Sequence, residues 1–220
     1  MVVFDLDDTL FLERDFAYSG FADVGKLVEE WYGVAGFGQV CRSLFDSGER
    51  RNVFDRACLT LGLPTADGRF VELVDAYRFH APQVALCQDS LRWLESNSGG
   101  QTLGLITDGP ERTQRNKIRA LGLERWINHI LPTASLGPGY NKPHPRAFEV
   151  MQALANPGEP MAMVGDNPAK DFLTPRRLGW RTVQIIRDGA VHDPVPRTAA
   201  HAADIRITSL DQLNAALAGP

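Results

Sequence analysis

The chain opens Met1-Val-Val-Phe-Asp5-Leu-Asp7-Asp8-Thr9-Leu10, a strand's worth of apolar side chains running straight into carboxylates two residues apart. An apolar run that ends in Asp-x-Asp-x-Thr delivers charge to the carboxyl end of a buried strand, where open α/β sheets place their ligands. Two carboxylates so close repel each other, and oxygen-rich clusters of this kind suit Mg²⁺. A helix-capping cluster, with Asp7 or Asp8 opening a helix, is the alternative reading of the same residues. A calcium-binding loop is excluded: counted from Asp5, the glycine position holds Leu10 and the bidentate-acid position holds Phe16.

Three later segments bear on the choice. Leu103-Gly-Leu-Ile-Thr107-Asp108-Gly109 is a second apolar strand ending in a hydroxyl and a turn. Asn141-Lys142-Pro143-His144-Pro145 sets a lysine just before a helix start, with His144 read as a helix-start residue. Met161-Ala-Met-Val-Gly165-Asp166-Asn167-Pro168-Ala169-Lys170-Asp171 is a third strand with a Gly-Asp exit and a second acid five residues on. In order and chemistry the four segments resemble the motifs of the haloacid dehalogenase-like hydrolase superfamily, over essentially the whole chain. Within it, the chain is similar to the helical-cap phosphatases, of the phosphoglycolate phosphatase and β-phosphoglucomutase type.

The resemblance implies an α/β fold: a Rossmann-like parallel sheet of strand order 5-4-1-2-3 with an inserted helical cap. Residue patterns agree. From about Arg14 to His80 the periodicity is helical, with Val24, Leu27, Val28 and Trp31, then Phe54, Ala57, Cys58 and Leu61, then Phe70, Leu73, Val74 and Tyr77 at i, i+3, i+4, i+7. Gly33 to Gly38, Ser47-Gly48 and Gly62 to Thr65 separate these helices. Beyond Ala81-Pro82, candidate strands at 103–107, 129–133, 161–165, 182–186 and 204–207 alternate with helices near 88–97, 111–121, 145–155 and 168–178. A last helix follows Ser209, which pairs with Gln212 as a capping box. Strands separated by single helices give right-handed βαβ units. The expected division is a core of 1–13 and 82–220 and a cap of 14–81.

By the same resemblance Asp5 is the nucleophile, forming an acyl phosphate with a phosphomonoester. Asp7 is the general acid and then the base, its backbone carbonyl rather than its side chain facing the metal. The metal residues are Asp5, Asp7, Asp166 and Asp171, the last holding a metal-bound water one helical turn beyond Asp166. Thr107 supplies a hydroxyl, the N–H groups of Asp108 and Gly109 cradle phosphoryl oxygens, and Lys142 brings positive charge to the developing phosphorane. In the cap, Arg50 and Arg51 in the turn Ser47–Asn52, and Arg14 beside the linker, are candidate grips on the leaving group, the alternative being a solvated turn.

Composition excludes other classes. A net charge of −4, with dispersed Lys and Arg, offers nothing for nucleic acid, and no apolar stretch nears the length of a membrane helix. The start carries no basic leader, and Cys41, Cys58 and Cys87 are scattered without ligand spacing, so a reduced, cytoplasmic protein is expected. The expected function is a Mg²⁺-dependent phosphatase acting on a small phosphorylated metabolite. A sugar-phosphate mutase shares the same core residues, and a binding or assembly protein could keep the fold. Monomer and dimer both stay open.

Overall fold

The computed structural model describes residues 1–65, 68–97 and 99–218. Strand β1 (Val2–Phe4) is followed by helices α1 (Glu13–Tyr32), α2 (Phe37–Asp46), α3 (Val53–Leu61) and α4 (Gly68–Phe79). Then come α5 (Gln88–Asn97), β2 (Leu103–Thr107), α6 (Glu111–Leu121), β3 (His129–Pro132), α7 (Arg146–Leu154), β4 (Ala162–Gly165), α8 (Leu173–Arg177), β5 (Arg181–Ile185), β6 (Ile205–Ile207) and α9 (Leu213–Ala218). The chain divides into two compact units: Met1–Glu13 with everything from Ala85 onward, and Arg14–Val84.

The first unit is built on a six-stranded parallel sheet of order β3-β2-β1-β4-β5-β6. The expected 5-4-1-2-3 order is present, with β6 added outside β5. β1 lies at the centre because Val2, Val3 and Phe4 are apolar on both faces and only a covered parallel strand accepts that. Phe4 pairs with Leu105 on one side and Val164 on the other, and Asp5 N–H donates to Val164 O at 2.9 Å. That last bond carries the pairing one residue past β1 and fixes the direction in which Asp5 leaves the sheet. On one face, Ala147, Phe148 and Met151 of α7 pack with Val3, Ile106, Met163 and Trp180. Each fully buried side chain of this size contributes about 1.5–3 kcal/mol.

Two boundaries differ from the sequence pattern for local reasons. The helix expected from 168 begins only at Leu173, because side chains capture the backbone before it: Asn167 Oδ1 accepts from Ala169 N–H at 3.0 Å, and Asp171 Oδ2 accepts from Asn167 N–H at 3.0 Å. Asp171 therefore sits in a turn and not on a helix. At the C-terminal end, Ser209 Oγ accepts from Asp211 N–H, but Gln212 Oε1 accepts from Thr208 N–H instead of returning to Ser209. The first turn there is a 3₁₀ turn, Leu210–Gln212, ahead of α9.

The second unit is a four-helix assembly whose core follows the sequence periodicity. Val24 and Val28 of α1, Phe37 and Cys41 of α2, Phe54, Ala57 and Cys58 of α3 and Leu73 of α4 are buried together. Aromatic rings organise its centre: Phe21 stacks on Tyr77 at 5.4 Å between centroids, and Phe54 meets Tyr77 edge-on at 5.4 Å. Among the described residues, no helix is long and apolar enough to cross a membrane.

A buried arginine ties the first unit's loops together. Arg187 Nε donates to Thr9 O at 2.8 Å, Nη1 to both carboxylate oxygens of Asp89 at 3.1 Å, and Nη2 to Ser90 Oγ at 2.8 Å. Asp89 also accepts from Leu210 N–H at 2.7 Å, so one pair joins the loop after β1, the start of α5 and the turn before α9. Removing one member of a buried pair strands the other. Arg187→Met is expected to destabilise the protein by about 3–5 kcal/mol in urea unfolding, and a loss below about 1 kcal/mol would show the pair to be no more than a surface contact.

Candidate active site

The carboxyl ends of the adjacent strands β1 and β4 each release an acid. Asp5, Asp166 and Asp171 are all buried, and each offers a carboxylate oxygen within 4.8 Å of the others. Asp171 gets there because its turn folds it back against the end of β4. A side chain at position 165 would collide with its carboxyl group, so Gly165 is the residue that lets the turn close. Lys142, from the loop before α7, is buried among them, its Nζ 2.5 Å from Asp5 Oδ1 and 2.7 Å from Asp171 Oδ1. Asp5 and Asp171 thus share one ammonium, and Asp166 is left to the group's repulsion.

The electrostatics follow from this crowding. Burial pushes the Asp5 carboxyl up to about 7; Lys142 works against that, while Asp171 and Asp7 add to it. Burial, then Asp5 and Asp171, push Asp166 to about 10. For Lys142 burial opposes the charge, but Asp171 and Asp5 outweigh it and the ammonium is held above its ordinary range. Three carboxylates facing one ammonium form a hard, all-oxygen donor set with excess negative charge, which fits Mg²⁺ and lacks the nitrogen or sulfur of a typical zinc site.

The Asp7 side chain, expected to be left free while the backbone carbonyl faces the metal, lies outside this group. Its Oδ1 instead accepts from Lys117 Nζ of α6 at 2.6 Å, with Lys117 only 3% exposed. Asp8 takes the capping role that was the alternative reading of the motif. It adopts φ +53°, a conformation Asp tolerates, its Oδ1 accepts from Glu13 N–H at the start of α1 and its Oδ2 from Val191 N–H.

Thr107 ends β2 as expected, but its buried hydroxyl donates to Gln114 Oε1 at 3.0 Å rather than facing outward. Gly109, at φ +127°, follows; a Cβ there would stand 2.6 Å from Gln114 Nε2, so the turn after β2 takes glycine. Asp108 is braced from its side-chain end: Oδ1 accepts from Thr133 Oγ1 at 2.8 Å and from Lys142 N–H at 3.1 Å, and Oδ2 pairs with Lys170 at 3.2 Å. The loops after β2 and before α7 are joined at that carboxylate.

Arg14, Arg50 and Arg51 belong to the helical unit. Arg14 is half-buried in the first turn of α1. Arg50 folds back on its own turn, its guanidinium 4.0 Å above the Phe45 ring and donating to Phe45 O and Glu49 O. Arg51 lies exposed beside it, and both line a pocket of ≈ 380 Å³ floored by Phe21, Phe54, Phe70 and Tyr77.

Sequence reading missed Lys117, Gln114, Thr133 and Lys170. For the first two a signal existed: the buried face of α6 carries Thr113, Gln114, Lys117, Ile118 and Leu121, so polar residues occupy an inward stripe with no core reason to be there. Thr133 opens a 3₁₀ turn after β3 and Lys170 lies in a turn after β4, and nothing local marks them.

With the geometry in place, comparison with known proteins is specific. Residues 1–179 match the family model for haloacid dehalogenase-like hydrolases. A protein from Thermus thermophilus named phosphoserine phosphatase is 32% identical over 159 residues, covering 71% of this chain and 62% of that protein. The alignment thus spans under two thirds of that relative. Glyceraldehyde 3-phosphate phosphatase of Methanocaldococcus jannaschii is 25% identical over 84% of each chain. Among solved structures, a 2-haloacid dehalogenase from Pseudomonas syringae superposes with a TM-score of 0.64 at 25% identity, covering 99% of this chain and 97% of that one. The chain belongs to the haloacid dehalogenase-like hydrolases.

Proposed function

We propose that this protein is a Mg²⁺-dependent phosphatase that hydrolyses a small phosphorylated metabolite through an aspartyl phosphate on Asp5. The observation that carries this reading is the buried group Asp5, Asp166 and Asp171 around Lys142. Displacing a halide from carbon requires neither a cation to offset an anionic reacting centre nor a proton for the leaving group. Transfer of a phosphoryl group requires both, and the chain carries an acid cluster for the first and Asp7 for the second. The relatives named as phosphatases support the same choice.

Mg²⁺, when bound, supplies the positive charge that lets an anionic phosphoryl group approach an anionic nucleophile. Asp5 Oδ attacks phosphorus and the ester oxygen departs with a proton from Asp7. The N–H groups of Asp108 and Gly109 hold the phosphoryl oxygens, and Lys142 favours the charged form of Asp5 and aims it. Asp7, now a carboxylate, takes a proton from water, whose oxygen attacks the aspartyl phosphate and releases phosphate from Asp5. Within the helical unit, the exposed Arg51 lines the aromatic pocket and is the candidate grip on the leaving group.

Asp5→Asn is expected to lower phosphatase turnover at least about a thousandfold in a variant that remains folded by circular dichroism, measured on p-nitrophenyl phosphate with Mg²⁺. Turnover within tenfold of the parent would remove Asp5 as the nucleophile. Arg51→Ala should raise KM for the best of a panel of phosphomonoesters by about tenfold to a hundredfold, the worth of a charge-assisted hydrogen bond. Under the same change p-nitrophenyl phosphate should be nearly unaffected. An equal effect on both esters would mean that Arg51 acts on folding of the helical unit and not on substrate.

A pH-linked outcome follows from the crowded acids. Without a cation, burial keeps protons on Asp5 up to about pH 7 and on Asp166 up to about pH 10, whereas the unfolded chain releases them near their model value of 3.8. Across that window the native state binds more protons than the unfolded state, so stability falls as pH rises. Mg²⁺ takes the deprotonated form and removes that penalty. The increase in Tm on saturating with Mg²⁺ should therefore be larger at pH 8 than at pH 5.5, at roughly 2–4 °C per kcal/mol. Equal increments at the two pH values would contradict the placement of the cation among these acids.

A further inference from the structure

Asp7 stands two residues from Asp5 and is close enough to add to its electrostatic load, yet its carboxylate stays out of the group formed by Asp5, Asp166 and Asp171. A carboxylate free to turn in the field of a divalent cation becomes a ligand, because hard cations accept as many anionic oxygens as can reach them. Once there it is a weak base and a poor shuttle. Something must hold it away.

Lys117 is placed to do so. Its Nζ is 2.6 Å from Asp7 Oδ1, and the two side chains are 3% and 16% exposed, so the pair is shielded from water. The ammonium also stands 5.7 Å from the centroid of the Phe11 ring, and Phe11 is fully buried. Asp7 and Phe11 are themselves joined by a parallel backbone bridge. One side chain from α6 thus engages both ends of the short loop that leaves β1.

We propose that Lys117 is a positioning residue that withholds the Asp7 carboxylate from the cation site and so reserves it for proton transfer. The proposal rests on the phosphatase reading for the use of Asp7, but the withholding itself is a property of cation binding and is tested without turnover. In a pair this buried, removing the ammonium leaves an unpaired carboxylate with a strong incentive to find the nearest positive charge.

The test is Mg²⁺ titration by calorimetry of the full-length, metal-stripped protein. Lys117→Met is expected to bind Mg²⁺ about tenfold more tightly, as a fourth carboxylate joins the donors. Adding Asp7→Asn to that variant should return the affinity to within about twofold of Asp7→Asn alone. Asp7→Asn in the parent protein should leave Mg²⁺ affinity within about twofold of the parent, because the side chain is already withheld. This arm decides the matter even if Lys117→Met does not fold, since a drop of about tenfold would make Asp7 a ligand in the parent and overturn the proposal. Unchanged affinity in a folded Lys117→Met, or no Mg²⁺ binding by the parent, overturns it as well. In turnover, Lys117→Met should slow glycerol phosphate, whose leaving group needs a proton, at least about tenfold more than p-nitrophenyl phosphate, and Lys117→Arg should narrow that gap. Equal slowing of both esters contradicts the positioning role. A parent protein that binds Mg²⁺ but hydrolyses no phosphomonoester would instead refute the phosphatase reading and leave the titrations to judge Lys117.

Discussion

Mutual repulsion among Asp5, Asp166 and Asp171 is the constraint around which the first unit is arranged. Parallel pairing of β1 with β4 brings two strand exits side by side, and each exit ends in an acid. Nothing in an apolar sheet would gather such charges, so the surrounding loops act to hold them. Gly165 gives Asp171 room, the Asn167 turn aims it inward, and Lys142 supplies an ammonium that contacts two of the three. Asp108 in turn holds the backbone of Lys142. The two-sided burial of β1, β2 and β4 carries the fold.

What sequence alone could show divides along physical lines. Apolar runs ending in acids identify strands because burial on both faces leaves no other place for charge, and β1, β2 and β4 lie where the pattern put them to within a residue. The helical unit was legible for the complementary reason: the 3.6-residue repeat of Val24, Val28, Phe54, Ala57 and Leu73 is a core face and was found buried as one. The partners that side chains choose were not legible. They delayed α8 to Leu173, sent the Thr107 hydroxyl to Gln114, and turned Arg50 back onto Phe45. Each of these depends on a neighbour whose position only the folded chain sets.

Five aspartates, Asp5, Asp7, Asp8, Asp166 and Asp171, stand within one small region, and the separate duties of four of them come from their partners. Asp8 is taken up by two backbone N–H groups, as a structural cap. Asp5 and Asp171 share Lys142, and Asp7 has Lys117. A charge alone would not assign these roles, since any of the carboxylates would serve a cation equally well. Position of the ammonium groups does assign them, because a compact point charge on a buried stem selects the one oxygen it can reach.

The two assignments that bear on proton and phosphoryl transfer are mechanically joined. Gln114 and Lys117 lie three residues apart on the inward face of α6, so they move together as one rigid turn. Gln114 holds the Thr107 hydroxyl beneath the Asp108–Gly109 turn, and Lys117 holds Asp7. The helix therefore fixes, through a single body, both the turn proposed to hold the phosphoryl oxygens and the acid proposed to serve the leaving oxygen. In-line transfer needs those two directions set relative to each other more than it needs either set absolutely. Placing both on α6 makes their relation as stiff as a helical turn, even where the loops they reach are not.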